Sequence, residues 1–213
     1  MIRLGFSDLK VVLPRSKRFK GLCLILFVGL ILCFWQLGST GLVDETPPKF
    51  AAAARGMSLT GDWLTPRANG IPRFDKPPLI YWLMGLFYSL PGQEVWDPLG
   101  SWSARLPSAL SSVLMMIVLA DTVMRWPHEN EIFPRRTAVI TSLAFALSPL
   151  VMVWSRVAVS DALLCSTMGI SMLFQWRCYV NPSRNTWIYA WIFLALAVLT
   201  KGPVAVVLMG MTL

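Results

Sequence analysis

Long apolar stretches separated by short polar links set the pattern of the chain. They run from Gly21 to Gly38, Leu79 to Leu90, Leu106 to Met124, Thr137 to Trp154, Ala162 to Trp176, and from Trp187 to the end, the last interrupted at Thr200-Lys201-Gly202-Pro203. Crossing a hydrocarbon core of about 30 Å takes roughly 20 apolar residues in a helix. Most of these runs therefore read as membrane spans. The 12 residues from Leu79 to Leu90 are too few and read as an interfacial or re-entrant helix. The predicted fold is all-α, a multi-pass transmembrane helical bundle. Residues 1–20 form a cytoplasmic tail, 21–38 the first span, 39–105 an extracytoplasmic segment with juxtamembrane helices, and 106–213 further spans. The stretch after Val204 is about half the length a bilayer needs, so the chain reads as the N-terminal part of a membrane domain whose C-terminal part is missing.

Sidedness follows from the basic residues. Arg3, Lys10, Arg15, Lys17, Arg18 and Lys20 precede the first span against one acid, Asp8. No A-x-A-like cleavage site follows, which predicts an uncleaved signal anchor with its N-terminus in the cytoplasm. If Leu79 to Leu90 does not span, Arg and Lys divide as 11 inside and 8 outside; if it does, as 9 and 10. The positive-inside rule favours the first division. The segment Thr40 to Arg105, the turn from Arg156 to Asp161 and the break at Lys201 then share the outer face.

Composition agrees. Hydrophobic residues make up 55%, charged residues 14%, and the mean hydropathy is +0.59, against about 25% charged in soluble domains. The net charge of +8 is dispersed among apolar runs and forms no continuous nucleic-acid footprint. Cys23, Cys33, Cys165 and Cys178 form no CxxC pair and read as buried apolar fillers. The single histidine, His128, cannot build a multi-His metal site.

The outer segment holds most of the candidate chemistry. Asp44 or Thr46 can cap a helix starting at Pro47-Pro48, continuing through Ala51 to Ala54 and ending near Gly56. Gly61-Asp62-Trp63 and Asn69-Gly70 read as turns, with Trp63 and Phe74 as headgroup anchors. Asp44-Glu45 is thus either a cap or a carboxylate pair where an acceptor would arrive. Asp75-Lys76-Pro77-Pro78 is either a surface ion pair before a helix start or a place where Lys76 meets a lipid phosphate. Asp161 complements a helix dipole or is an ionisable functional group at the membrane. Lys201 lies at a helix break of the kind that lines wet cavities and is a second candidate cation.

The succession VDE, AAAARGM, GDWLTPRANG, FDKPPLIYWL, RLPSAL, VAVSDALL and LTKGPVA resembles, in order over residues 20 to 205, the N-terminal portion of GT-C type membrane glycosyltransferases. It is most similar to the lipid A aminoarabinose transferases and the protein O-mannosyltransferase clan. The resemblance implies a GT-C fold in the cell inner membrane and inverting transfer of a hexose or pentose on the extracytoplasmic face. The donor would be a polyprenyl-phosphate sugar and the acceptor a lipid, glycan or protein. It puts the catalytic acids on Asp44, with Glu45 beside it, and on Asp161, and the donor-phosphate lysine on Lys76, aided by Lys201. A divalent ion near Asp75, where relatives often carry Glu, is an option that the shorter side chain weakens. The alternatives are a transporter or flippase of a lipid-linked substrate and a truncated, non-catalytic membrane subunit. Relatives run well beyond this length.

Overall fold

Glycines govern how closely the first long helices approach. In the computed structural model, which describes residues 14–91, 101–127 and 131–212, α1 (Arg15–Phe34) lies along α4 (Trp102–Arg125). A methyl group on Gly29 would come within 3.1 Å of the Met116 sulfur, and one on Gly21 within 3.1 Å of that of Met124. His128 and the first basic residues, Arg3 and Lys10, lie outside the described residues.

Between these helices come α2 (Thr46–Thr60), a hairpin of β1 (Arg67–Ala68) and β2 (Ile71–Pro72), and the short α3 (Leu79–Tyr88). Then follow α5 (Pro134–Ala146), α6 (Pro149–Trp154), α7 (Ser160–Val180), α8 (Arg184–Lys201) and α9 (Val204–Gly210). The all-α expectation is amended by the antiparallel hairpin. Asn69 and Gly70 turn it at positive φ, 54° and 80°, the conformation of a tight two-residue hairpin turn.

Several local expectations change. Asp44 and Thr46 do not cap α2; the cap position is Glu45, without a side-chain cap bond, and Pro47 lies in the first turn. The helix passes Gly56 and stops at Gly61, which is left-handed at φ 74°. Gly56 is small for another reason: a methyl group there would sit 3.3 Å from the Arg67 carbonyl. The run Thr137 to Trp154 is two helices, because Ser148 is extended and Pro149 has no N–H with which to continue α5. The break at Gly202-Pro203 falls where expected, with Gly202 at φ 75°. Of the cysteines, expected as buried fillers, only Cys33 is buried; Cys23 and Cys165 are exposed and Cys178 is half-buried.

Among the described residues α4 alone is both long and apolar enough to cross a membrane. By comparison, α1 has the length but opens with Arg15, Lys17, Arg18 and Lys20.

Two polar ends flank the bundle. At one, the Asp121 carboxylate accepts from Arg125 Nε at 2.8 Å and Arg177 Nη1 at 3.0 Å and pairs with Arg18 at 3.4 Å, tying α1, α4 and α7. Arg177 also donates to Thr122 Oγ1 and, at 2.8 Å, to the Val118 carbonyl, and lies over the Phe174 ring at 4.8 Å. Arg105 marks the opposite end of α4, about 24 Å away at 1.5 Å rise per residue. There α2 and α3 pack face to face. Phe50, Met57, Tyr81 and Met84 form a core with Ala104 of α4, Leu163 of α7 and Ala158 in the turn before α7. Gly85 permits this approach, since a methyl group would lie 3.1 Å from the Ala54 carbonyl and 2.9 Å from Trp63.

Candidate functional site

Asp161 lies in the first turn of α7 and Lys201 is the last residue of α8. An acid at a helix start and a cation at a helix end each complement the local dipole, and here the two meet as an ion pair. The side chains remain 42% and 32% exposed, so the pair is open to exchange with a charged ligand. Asp161 also lines a cavity of about 270 Å³ with Ser112, Ser155, Trp154 and Ser166.

The break after Lys201 reaches a second segment. A methyl group on Gly202 would lie 3.9 Å from Cγ of Pro77, so Asp75-Lys76-Pro77 abuts the end of α8. Asp75 does not pair with Lys76. Its two oxygens accept from Nε and Nη2 of Arg73 at 2.7 Å each, and Tyr81 donates to Oδ1 at 3.1 Å. A planar guanidinium fits a carboxylate by a two-pronged contact that an ammonium cannot make. The Arg73 bond holds the Asp75 carboxyl below the usual carboxylate range, and burial pushes the Tyr81 hydroxyl up. Arg73 further lies 5.8 Å from the centre of the buried Phe50 ring, which packs edge-on against Tyr81. With Asp75 occupied, Lys76 is half-buried and makes no hydrogen bond or ion pair among the described residues.

Asp44 sits just before α2 at φ 81°, a conformation rare outside glycine and tolerated best by Asn and Asp. Its Oδ1 accepts the Glu45 N–H at 2.7 Å. Glu45 itself pairs with Lys49, whose hydrogen bond holds the carboxyl below its usual range, with a smaller contribution from Arg73.

The structure thus joins Asp161 to Lys201 and brings Pro77 against Gly202, the residue after Lys201. The elements that follow Asp44 and Lys76, and the one that carries Asp161, all bury side chains in the single core around Phe50 and Tyr81. Among the described residues no hydrogen bond or ion pair joins Asp44 to Lys76 or Asp161. Arg73, Tyr81, Arg105 and Arg156 are polar members of this end that pattern reading did not single out. An arginine two residues before Asp75 was the available signal for the first.

A divalent ion does not fit Asp75 as it stands. Both carboxylate oxygens are engaged by Arg73, and among the described residues no three His, Cys, Asp or Glu side chains gather as a ligand group.

Ionisable groups at helix ends of an apolar helical scaffold, beside a cavity, mark a candidate functional site. The comparisons with known proteins agree. Residues 75–213 match the family described as dolichyl-phosphate-mannose-protein mannosyltransferase, and the chain belongs to that family. An uncharacterised protein of Aquifex aeolicus is 33% identical over 87% of this chain and 39% of its own length. The undecaprenyl phosphate-alpha-4-amino-4-deoxy-L-arabinose arabinosyl transferase of Pseudomonas aeruginosa is 28% identical over 89% of this chain and 33% of its own. Crystal structures of ArnT from Cupriavidus metallidurans, apo and bound to undecaprenyl phosphate, superpose with a TM-score of 0.76 at 30% identity. They match 92% and 89% of this chain, and the chain covers 35% and 34% of them. It therefore spans between 33% and 39% of the length of these relatives.

Proposed function

We propose that this chain is the N-terminal part of a membrane glycosyltransferase that moves a sugar from a polyprenyl-phosphate donor to a lipid, glycan or protein acceptor. The reaction lies on the extracytoplasmic face of a multi-pass protein in the inner membrane. Residues 39–105 are its outer juxtamembrane segment and 106–213 its further spans. The outward apolar side chains of α1, α8 and α9, among them Phe27, Trp187, Trp191 and Val207, are more than a third exposed and suit contact with lipid. The gathering of Arg18, Arg125 and Arg177 at the end opposite Lys76 suits the positive-inside orientation.

One observation carries the reading: Lys76 is a cation without a partner among the described residues, on a turn whose Pro77 meets Gly202 just after Lys201, the end of α8. In the transfer, an acceptor oxygen bonds to the anomeric carbon as the bond from that carbon to the donor phosphate breaks. The phosphate leaves with growing negative charge. Lys76 stabilises that charge, most strongly where water is excluded. A carboxylate takes the proton when the acceptor is a hydroxyl. Asp161 is engaged by Lys201, whereas Oδ2 of Asp44 has no partner among the described residues, which favours Asp44 as base and Asp161 as the group that positions Lys201.

The test is transfer by membranes containing the full protein, supplied with labelled undecaprenyl-phosphate sugars. Lys76→Ala and Asp44→Asn should each lower the rate by about 100-fold or more, the range of an electrostatic or general-base contribution. Parent rates in both variants refute these roles. Movement of labelled donor across the membrane without a new glycosidic bond identifies a flippase instead.

A further inference from the structure

Two arginines from distant segments bond the backbone at the end of α1, Arg156 to one of the last helical carbonyls, which have no partners within the helix, and Arg105 to the segment just after it. Arg105 donates Nη1 to the Leu37 carbonyl at 2.5 Å and to Thr40 Oγ1 at 3.1 Å, and Nη2 to the Thr40 and Gly41 carbonyls at 2.6 Å each. Arg156 donates only Nη2, to the Leu32 carbonyl at 2.5 Å. A guanidinium has five N–H donors. Arg105 has used four, and its Nε is buried with no partner; Arg156 has used one.

Both side chains line one cavity of about 340 Å³, between the Gln36–Val43 segment, Pro47 and the Val157–Ala158 turn. No carboxylate lines it. The nearest acid in sequence, Asp44, is exposed and turned to the Glu45 amide, and Asp161 lines the cavity on the other side of the 155–161 turn. Two guanidinium charges in a partly desolvated cavity without a counter-charge are costly unless an anion or water satisfies them. The chemistry that suits several unused N–H donors on a planar fork is an oxyanion with several acceptor oxygens. The volume lies in the small-ligand range of roughly 300–1,000 Å³.

We propose that this cavity is an anion subsite that takes the phosphate monoester of a lipid headgroup through Arg156, with Arg105 fixing its wall to the end of α1. It is a second phosphate place, apart from Lys76. It rests on the function proposed above only for its membrane setting, because occupancy is read without sugar transfer.

The experiment is native mass spectrometry and calorimetry of the purified chain in dodecyl maltoside micelles. The probes are dioctanoyl phosphatidic acid, dioctanoyl phosphatidylcholine and inorganic phosphate. Phosphatidic acid should bind at least about 10-fold more tightly than phosphatidylcholine. Arg156→Gln keeps a donor for the Leu32 carbonyl and should weaken phosphatidic acid binding about 10-fold. Arg156→Lys, which keeps charge but not the fork, should weaken it less and serves if the glutamine variant loses helical circular dichroism. Competition by inorganic phosphate supports a site for the oxyanion itself; lack of competition with the Arg156 effect intact supports a lipid-borne phosphate. In Lys76→Ala the Arg156-dependent part of this binding should remain even where transfer is abolished, so the two readings fail separately. Parent affinity in both Arg156 variants, equal binding of the two lipids, or loss of all phosphatidic acid binding in Lys76→Ala overturns the proposal.

Discussion

Two aspartates, one at each end of the bundle, show how similar charges serve different ends. Asp121 is 13% exposed and meets three arginines; its closest buried partner, Arg177, is 6% exposed and further bonded to Thr122 and the Val118 carbonyl. Nε, Nη1 and Nη2 of Arg177 all find acceptors inside the protein. At the other end Asp161 meets one lysine, both remain open to solvent, a cavity adjoins the pair, and Lys76 nearby is unused. Charge that is satisfied and enclosed locks helices together. Charge left with spare capacity beside a cavity is where a ligand can enter.

The sharpest way to break this contrast is to remove the enclosed acid. Asp121→Ala leaves Arg177 buried without its counter-charge, which costs about 3–5 kcal/mol when one partner of a buried pair is lost. Thermal or denaturant unfolding in detergent should show that loss, while transfer per folded molecule stays near the parent value. A loss under about 1 kcal/mol would mean that Asp121 is no lock.

The open pair should behave the other way. Lys201→Met removes an interaction that solvent already weakens, so the stability change should stay below about 1 kcal/mol. Transfer should nevertheless fall by about 10-fold or more, and Asp161→Asn added to Lys201→Met should cost little beyond either change alone, because partners acting as a unit are not additive. Full additivity in that cycle would separate the two residues functionally.

Much of this layout was legible in the sequence, because apolar runs of helical length announce themselves and Gly202-Pro203 interrupts one with the two residues least suited to a helix interior. The same logic missed the break at Ser148-Pro149: hydropathy runs through a proline, which sits well in the first turn of the next helix. Gly56 was read as a terminator, whereas its small size serves the close passage of Arg67. Asp161 was visible as the acid opening a helix. Its pairing with Lys201, 40 residues away, was not, since local pattern carries no such distance. The choice of Arg73 over Lys76 as partner for Asp75 depends on fork geometry two residues back, and the positions of Arg105 and Arg156 on the end of α1 depend wholly on tertiary packing.

The smallest expected effect lies between the two extremes, at Asp75, which is bonded by Arg73 and Tyr81 yet 43% exposed. Its folded carboxyl titrates below the ordinary value because Arg73 bonds its charged form. The contribution of the pair is therefore complete above the ordinary carboxylate range near pH 4, and it is lost as pH falls through the lower folded value. Between pH 7 and 5 nothing should change. Below about pH 4 the hairpin and the start of α3 should loosen, by less than about 1 kcal/mol because solvent screens an exposed pair. Trp82 reports this, since its indole N–H donates to the Trp63 carbonyl at 2.7 Å and so ties α3 to the loop before the hairpin. Glu45, bonded by Lys49, titrates in the same window, so the informative quantity is the difference between the parent and Arg73→Gln. The variant should move the acid midpoint of Trp82 fluorescence up toward the ordinary carboxylate value, while Lys49→Gln should not. An unchanged midpoint in Arg73→Gln would free Asp75 from its assigned partner and reopen its pairing with Lys76, and with it the claim that Lys76 is available to a phosphate.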